Sequence, residues 1–321
     1  MSVNIIVMFS GGMGSFAATE RIFNQNTHLL FTDTLIEDQD LYRFLLDSIE
    51  HFYGGDLSFA KKLVKKLTPV EIDIELRKAE LRVIQMIVNG LYPKFHWLRY
   101  SAHGEGVSPW DIFYNSNYVG NSRVAQCSSI IKQRLARDYV RDNFKKESTK
   151  VVLGIDWSES HRVDAPILGR SIHANEVLFP LCDKPYILKG DKIDMLAEYN
   201  IAVPSLYLKG AEHNNCGGFC VRGGQKHFVN LLEMNEPLYD YHARQERGLI
   251  EQIGKDVSIL RRQESNVKYT LPLDELKARL KEGVAVDKFD IGGCGCFVTD
   301  DTEELDYIGK KWGIGDLCVT H

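Results

Sequence analysis

The segment that most constrains this chain is residues 4–15. Asn4 to Phe9 (NIIVMF) is a short, mostly apolar run, and Ser10-Gly11-Gly12-Met13-Gly14-Ser15 follows it directly. Such a run closed by glycines predicts a buried strand that ends in a tight turn. Phe16, Ala17, Thr19, Glu20 and Ile22 then mix apolar and polar positions at helical spacing, and His28 to Thr32 (HLLFT) reads as a second buried strand. Strand, glycine turn, helix and strand in that order call for a parallel sheet covered on both faces.

The rest of the chain extends this pattern. Leu41 to Phe52 is helical by periodicity, Val70 to Ile74 is expected to be a third strand, and Leu76 to Val88 is an amphipathic helix. Tyr92 to Val119 is aromatic and irregular. A helix is expected from Ser129 to Phe144, carrying Lys132, Arg134, Arg137, Arg141, Lys145 and Lys146, and Val151 to Ile155 supplies another buried strand. Gln225 to Glu233, Asp240 to Ile253 and Leu273 to Lys281 read as helices before the glycine- and cysteine-rich stretch Asp290 to Phe297. The expected architecture is α/β. A doubly wound, mostly parallel sheet occupies residues 1–236, and a mainly helical extension, 237–321, follows a soft boundary near Glu236-Pro237.

Composition excludes several classes. With 44% apolar and 26% charged residues the chain can build a full core. A net charge of -5 gives no whole-molecule attraction to phosphate polymers, so contact with nucleic acid would need a local basic patch. No stretch approaches the ~20 apolar residues of a membrane span, and the first residues lack a signal-peptide pattern. The cytoplasm is the expected compartment and no membrane partner is expected. Thiols stay reduced there, so the seven cysteines point to metal binding, catalysis or packing rather than to a disulfide framework.

Between a strand and a helix, residues 10–15 suit an anion. Glycines let backbone N–H groups crowd around a phosphate, hydroxyls add donors, and the helix N-terminus adds partial positive charge. A Walker-type loop is excluded, because no Lys follows at the required place. The loop resembles the SGGxxS pyrophosphate loop of the PP-loop (N-type ATP pyrophosphatase) superfamily. Asp33-Thr34, after the second strand, matches that superfamily's acidic position. Arg123 to Lys132 (RVAQCSSIIK), Gly154 to Arg162 (GIDWSESHR) and Phe179-Pro180-Leu181 resemble ordered segments of its PAPS-reductase-like branch, over about two hundred residues in all.

The resemblance implies a nucleotide at the C-terminal ends of the strands. Ser10, Gly11, Gly12, Gly14 and Ser15 would hold phosphate, Asp33 would orient nucleotide or Mg2+, and Lys132 and Arg162 would neutralise phosphate charge. Glu159 would act catalytically or hold Arg162 in place. Cys127 occupies the first position of the double-cysteine element of iron–sulfur sulfonucleotide reductases, with Ser128 at the second. The later C-x-x-C element is matched by the longer Cys216-x-x-x-Cys220, and the family's C-terminal Glu-Cys-Gly-x-His element is missing. The expected cofactors are ATP, Mg2+ and a 4Fe-4S cluster on Cys127, Cys216 and Cys220. The alternatives are Zn2+ on Cys216, Cys220, Cys294 and Cys296, or free thiols that include a persulfide-carrying nucleophile. Cys182 and Cys318 read as packing residues.

Other residues carry two readings. His161, His213 and His227 fall in or near these segments and could contact phosphate, or could simply be packed or surface histidines. Trp97, Trp110 and Phe113, with Arg99 and Tyr100, could stack a base or fill a core. The basic residues 132–146, like Lys61, Lys62, Lys65 and Lys66, could track a nucleic-acid backbone or form a solvated face. The resulting expectation is an ATP-dependent sulfurtransferase that adenylates an acceptor, such as a nucleobase in tRNA or DNA, and inserts sulfur. A sulfur-donor protein and a homodimer are compatible with it. A sulfonucleotide reductase and a non-catalytic adenine-nucleotide-binding protein with structural zinc are the alternatives.

Overall fold

Alternation along the strands decides the layering. The structure, a computed structural model, describes residues 2–102, 105–120, 125–163, 176–211, 213–287, 290 and 292. Strands β1 (Asn4–Met8), β2 (Thr27–Asp33) and β3 (Phe95–Arg99) lie on one side of the fold, with the two-residue pair β4 (Ser101–Ala102) and β5 (Glu105–Gly106) beyond them. Strands β6 (Thr149–Val152) and β7 (Glu176–Leu178) complete one five-stranded, all-parallel sheet in the order β3-β2-β1-β6-β7. The register pairs Val7 with Leu29 and Val152, and Phe31 with Trp97.

Neighbouring residues on each strand face opposite cores. Val7, Leu29, Phe31, Phe95, Trp97 and Val152 face one, with α1 (Met13–Ile22), α2 (Gln39–Tyr53), α3 (Ser58–Val64) and α4 (Ile74–Leu91). Ile6, Met8, Leu30, Leu98 and Val151 face the other. That second core is closed by α5 (Pro109–Ser116), a π-helical turn at Ser128–Arg134 and α6 (Leu135–Asn143). A sheet covered on both faces by helices is compatible with a Rossmann-like α/β fold.

Downstream come α7 (Lys189–Glu198), the short α8 (Ser205–Leu208), α9 (Gln225–Met234) and α10 (Glu236–Ile253). An antiparallel hairpin, β8 (Leu260–Glu264) with β9 (Val267–Leu271), precedes α11 (Leu273–Lys281). The Glu236-Pro237 boundary coincides with the start of α10, where Asn235 caps the helix through the Leu238 N–H and Pro237 occupies the first turn. Leu238, Tyr239, Leu249, Leu271 and Leu273 belong to the same core as Ile6 and Val151. No described helix is long and apolar enough to cross a membrane.

Three local expectations differ from what is observed. Residues 70–72 form turns rather than a strand, because Asp73 caps α4 by accepting from the Glu75 and Leu76 amides and so claims the segment for the helix start. The third strand on that side is Phe95–Arg99, inside the stretch expected to be irregular. The expected helix over residues 129–144 begins as the π-helical turn.

Candidate functional site

The glycine turn after β1 is built by close approach. Pairing with β2 continues to Phe9, whose N–H donates to Leu30 O at 2.8 Å. Gly11 then takes φ +74°, and a Cβ there would lie 2.9 Å from Leu41 Cγ. Gly154, just beyond β6, packs backbone to backbone on the same turn; a Cβ on it would sit 2.9 Å from Ser15 Cα and 3.0 Å from Gly14 O. Ser15 folds its hydroxyl onto Gly12 O at 2.9 Å and receives Ser10 Oγ at 3.4 Å. Gly12 caps α1 without any side-chain hydrogen bond. The Tyr207 hydroxyl meets the Met13 N–H of the first turn, and the start of α1 behind the glycine turn still places partial positive charge there, an arrangement suited to an anion.

That turn forms one wall of a cavity of about 410 Å³, a volume in the usual range for a small-molecule ligand. The cavity lies at the C-terminal ends of β1, β2 and β6, where the strand order reverses between β1 and β6. Ligands of open α/β sheets bind at this switch point. Ser10, Gly12, Gly14 and Ser15 line it together with Lys132, Glu159 and Arg162. Of the residues expected to act together, the structure thus gathers these seven around one space. Gly11 supplies the turn behind them, and its carbonyl accepts from Asn214 Nδ2 at 2.8 Å.

The cavity gathers charges of both signs, four basic residues against Glu37, Asp156 and Glu159. Lys132, Arg162, Lys189 and Lys192 all line it. Arg162 pairs with Glu159 at 2.6 Å, and its Nε is buried without a hydrogen-bond partner. Lys192 pairs with Asp156, which also caps the short helix Trp157–Arg162 through the Ser158 N–H. Glu159 therefore stands beside Arg162 and at the cavity wall at once, so both roles weighed for it stay compatible with its position.

A second wall joins three residues from distant parts of the chain. Glu37, from the loop between β2 and α2, is 2% exposed and faces the cavity. Its carboxylate accepts from Thr34 Oγ1 at 2.8 Å and from the Cys216 N–H. Lys132 Nζ lies 3.8 Å from the same carboxylate and donates to Cys216 Sγ at 3.6 Å. Burial raises Glu37 above the ordinary carboxylate range, and the Lys132 charge opposes that rise. Cys216 sits at φ +55°, followed by Gly217 at φ +61°, whose Cβ would approach Ile36 O to 2.6 Å. The cysteine loop is thus pressed onto the Glu37 loop. Arg77, 2% exposed, holds the latter by donating to the Leu35, Glu37 and Thr68 carbonyls.

Asp33 lies behind this wall rather than on it. It is 1% exposed and accepts from Leu35 N at 2.8 Å, Tyr42 Oη at 2.7 Å and Trp97 Nε1 at 3.0 Å. Burial raises its pKa against those three hydrogen bonds, and the cavity lining does not include it. Trp97, Trp110, Phe113, Arg99 and Tyr100 are likewise buried and fill core rather than a stacking platform. Beyond Lys132, the basic residues of 132–146 are largely met by acids of the same helix: Arg134, Arg137 and Arg141 all reach Asp138.

Sequence reasoning did not single out Glu37, Asp156, Lys189, Lys192, Tyr207 or Asn214, which all line the cavity. Asn214 is 1% exposed and its Oδ1 is buried without a partner. Tyr207 closes over Gly12, its hydroxyl 2.9 Å from where a Gly12 Cβ would be, and burial pushes its pKa up to about 12. His213 also lines the cavity, while His227 packs against Gly223. Cys127 is half-buried against the core at the start of the π-helical turn, and Cys182, also half-buried, donates to Ile155 O at 3.5 Å.

Among the described residues, no three His, Cys, Asp or Glu side chains form a group that could hold a metal ion. Arg123, Cys294, Cys296 and Cys318 lie outside the described residues, as does the side chain of His161. The antiparallel bridge of Gly223 with Gly292 and the Gln225 amide on Asp290 bring the chain before Cys294 to the loop that carries Cys220. Comparisons with protein-family models and with curated proteins give no match for this chain.

Proposed function

We propose that this protein is an ATP-dependent sulfurtransferase of the PP-loop type, which adenylates an acceptor oxygen and replaces it with sulfur carried on Cys216. One observation carries the reading: the N-terminus of α1, with its glycine turn, shares a switch-point cavity with Lys132 and Arg162, and Lys132 also holds the Cys216 thiol. Phosphates on residues 10–15 would be met by backbone N–H groups and by the Ser10 and Ser15 hydroxyls. Mg2+ would shield the remaining phosphate charge, and Asp156 and Glu159 are the cavity-wall carboxylates suited to holding it.

In the first step an acceptor oxygen attacks the α-phosphorus, the bond to the bridging oxygen breaks, and pyrophosphate leaves on the glycine turn. Lys132 and Arg162 offset the charge that builds during this exchange. In the second, the terminal sulfur of a Cys216 persulfide attacks the adenylated carbon and AMP departs. A thiol from solution then attacks Cys216 Sγ, the S–S bond breaks with sulfur left on the acceptor, and a further thiol reduces the mixed disulfide left on Cys216. The ammonium of Lys132 at 3.6 Å stabilises the negative charge that a sulfur nucleophile carries.

The test is AMP formation from ATP labelled at the α-phosphate, with tRNA and DNA as acceptors and a persulfide donor present. Lys132→Ala is expected to lower AMP release by about 10²-fold or more, the usual loss when one charge-stabilising donor is removed. Cys216→Ser should keep AMP release and abolish sulfur incorporation. No nucleotide binding at all would sink the reading. Sulfite release from a sulfonucleotide without ATP cleavage would replace it with a reductase.

A further inference from the structure

Helix α4 carries apolar residues on two opposite faces. Leu81, Ile84 and Val88 are buried against the sheet, as a covering helix requires. On the outward face Leu76 is 49% exposed, Val83 53% and Met86 67%, with Ile72 just before the helix at 73%. Ala79, between Leu76 and Val83, is exposed as well. Leu76, Ala79, Val83, Met86 and Gly90 follow one another at steps of three, four, three and four, which is the a/d spacing of a coiled-coil seam. A helix that already serves its core on one side and presents such a seam on the other is shaped for a second helix.

We infer that this seam is the contact of a two-fold homodimer in which α4 packs antiparallel against α4 of a second copy. Side-chain size and the flanking charges together select the register and direction. Glu75 and Arg82 are both exposed, seven residues apart on the same flank of the seam. Lys78 reaches one oxygen of Glu75, yet the carboxylate side chain stays 64% exposed. An antiparallel pairing that sets the large Leu76 against the second copy's small Ala79 brings Glu75 opposite its Arg82. Symmetry makes that ion pair twice, since in an isologous interface each contact recurs with the roles exchanged. Sliding the antiparallel pair by one heptad, so that Ala79 meets Val83, would set Arg82 against Arg82. A parallel pairing would set Glu75 beside the second copy's Glu80, again like against like. The interface stands apart from the cavity, so it holds or fails independently of the proposed activity.

Sedimentation equilibrium on the full chain tests the inference. The expected mass is that of two 36.6 kDa chains. Ala79→Glu and Val83→Glu, both at exposed positions, should each yield a monomer with unchanged circular dichroism. Glu75→Arg or Arg82→Glu alone should weaken the dimer by about tenfold, roughly 1.4 kcal/mol, and the double exchange should restore it. A chain that is monomeric throughout overturns the inference. So does a dimer indifferent to Ala79→Glu, to Val83→Glu and to both charge reversals.

Discussion

A carboxylate sealed inside a protein has to be satisfied by its neighbours. Asp33 is met by Tyr42 Oη, Trp97 Nε1 and the Leu35 amide. Removing the acceptor while leaving the donors is the costly change, at about 1–3 kcal/mol for each donor stranded without a partner. Asp33→Ala should therefore lower the unfolding free energy in urea by about 3 kcal/mol or more, whereas Asp33→Asn, which keeps one acceptor oxygen, should cost less. Equal losses for the two variants would place the value of Asp33 in something other than these bonds. At this scale the sequence showed which residue types surround the cavity best where they sit in a glycine-rich signature. Ser10 to Ser15 were readable in that way, whereas Lys132, Glu159 and Arg162 were singled out only by the resemblance of their segments. Glu37 and Asn214 were not, because a single acid or amide in a loop has no periodicity, and only the folding of residues 34–38 against 214–217 gives it a role.

Two loops, rather than any helix or strand, set the geometry of the thiol. Residues 34–38 are held from below by Arg77 and from above by the Cys216 loop, whose backbone turns through positive φ at 216, 217 and 218. Gly217 is the tightest point, since a Cβ there would be 2.6 Å from Ile36 O and φ +61° strains any other residue. Gly217→Ala should push the loops apart, lower stability by about 1–3 kcal/mol, and speed alkylation of Cys216 by iodoacetamide. Unchanged stability and alkylation would mean that the two loops are not locked together. Elements were legible in proportion to their periodicity. The first helix, Leu41–Phe52 and the late helices follow from apolar spacing alone. Val70–Ile74 alternates like a strand, yet Pro69 and the Asp73 cap turn it into a helix entry. Phe95–Arg99 was hidden because its charged and aromatic residues are covered by α4 and α6, context that no short window contains. The hairpin at residues 260–271 was hidden for the opposite reason: its strands are mostly exposed and polar and leave no buried alternation to read.

Across the whole molecule, burial of histidines couples the fold to pH. His96, on β3, receives or shares a proton with His28 Nδ1 at 2.9 Å and Tyr139 Oη at 2.7 Å, and it stacks on His28 beneath Phe144. Burial lowers it to about 4, with the His28 charge adding to the effect, and burial lowers His28 as well, reinforced by Lys94. His242, enclosed between Trp110 and Phe219 under the cysteine loop, is lowered by burial to about 3. In the unfolded chain a histidine takes up a proton near pH 6.5. The folded state cannot follow until near pH 4 at His96, so stability is intact above pH 6.5 and drains away as the pH falls through that interval. Each of these two sites should cost about 2 kcal/mol by pH 5, a sizeable share of a total stability of about 5–15 kcal/mol. The buried carboxylates act in the opposite sense. Burial raises Asp33, Glu37 and Glu246, so their ionised forms cost stability at neutral pH and that cost fades on acidification. The net curve mixes both, and single substitutions separate them. His96→Gln and His242→Gln should each flatten the fall in urea-derived unfolding free energy between pH 7 and pH 5 by about 2 kcal/mol relative to the unaltered chain. Parallel curves for the variants and the unaltered protein would show that these imidazoles are solvated, and that the sheet face under α6 and the core under Phe219 are open to water.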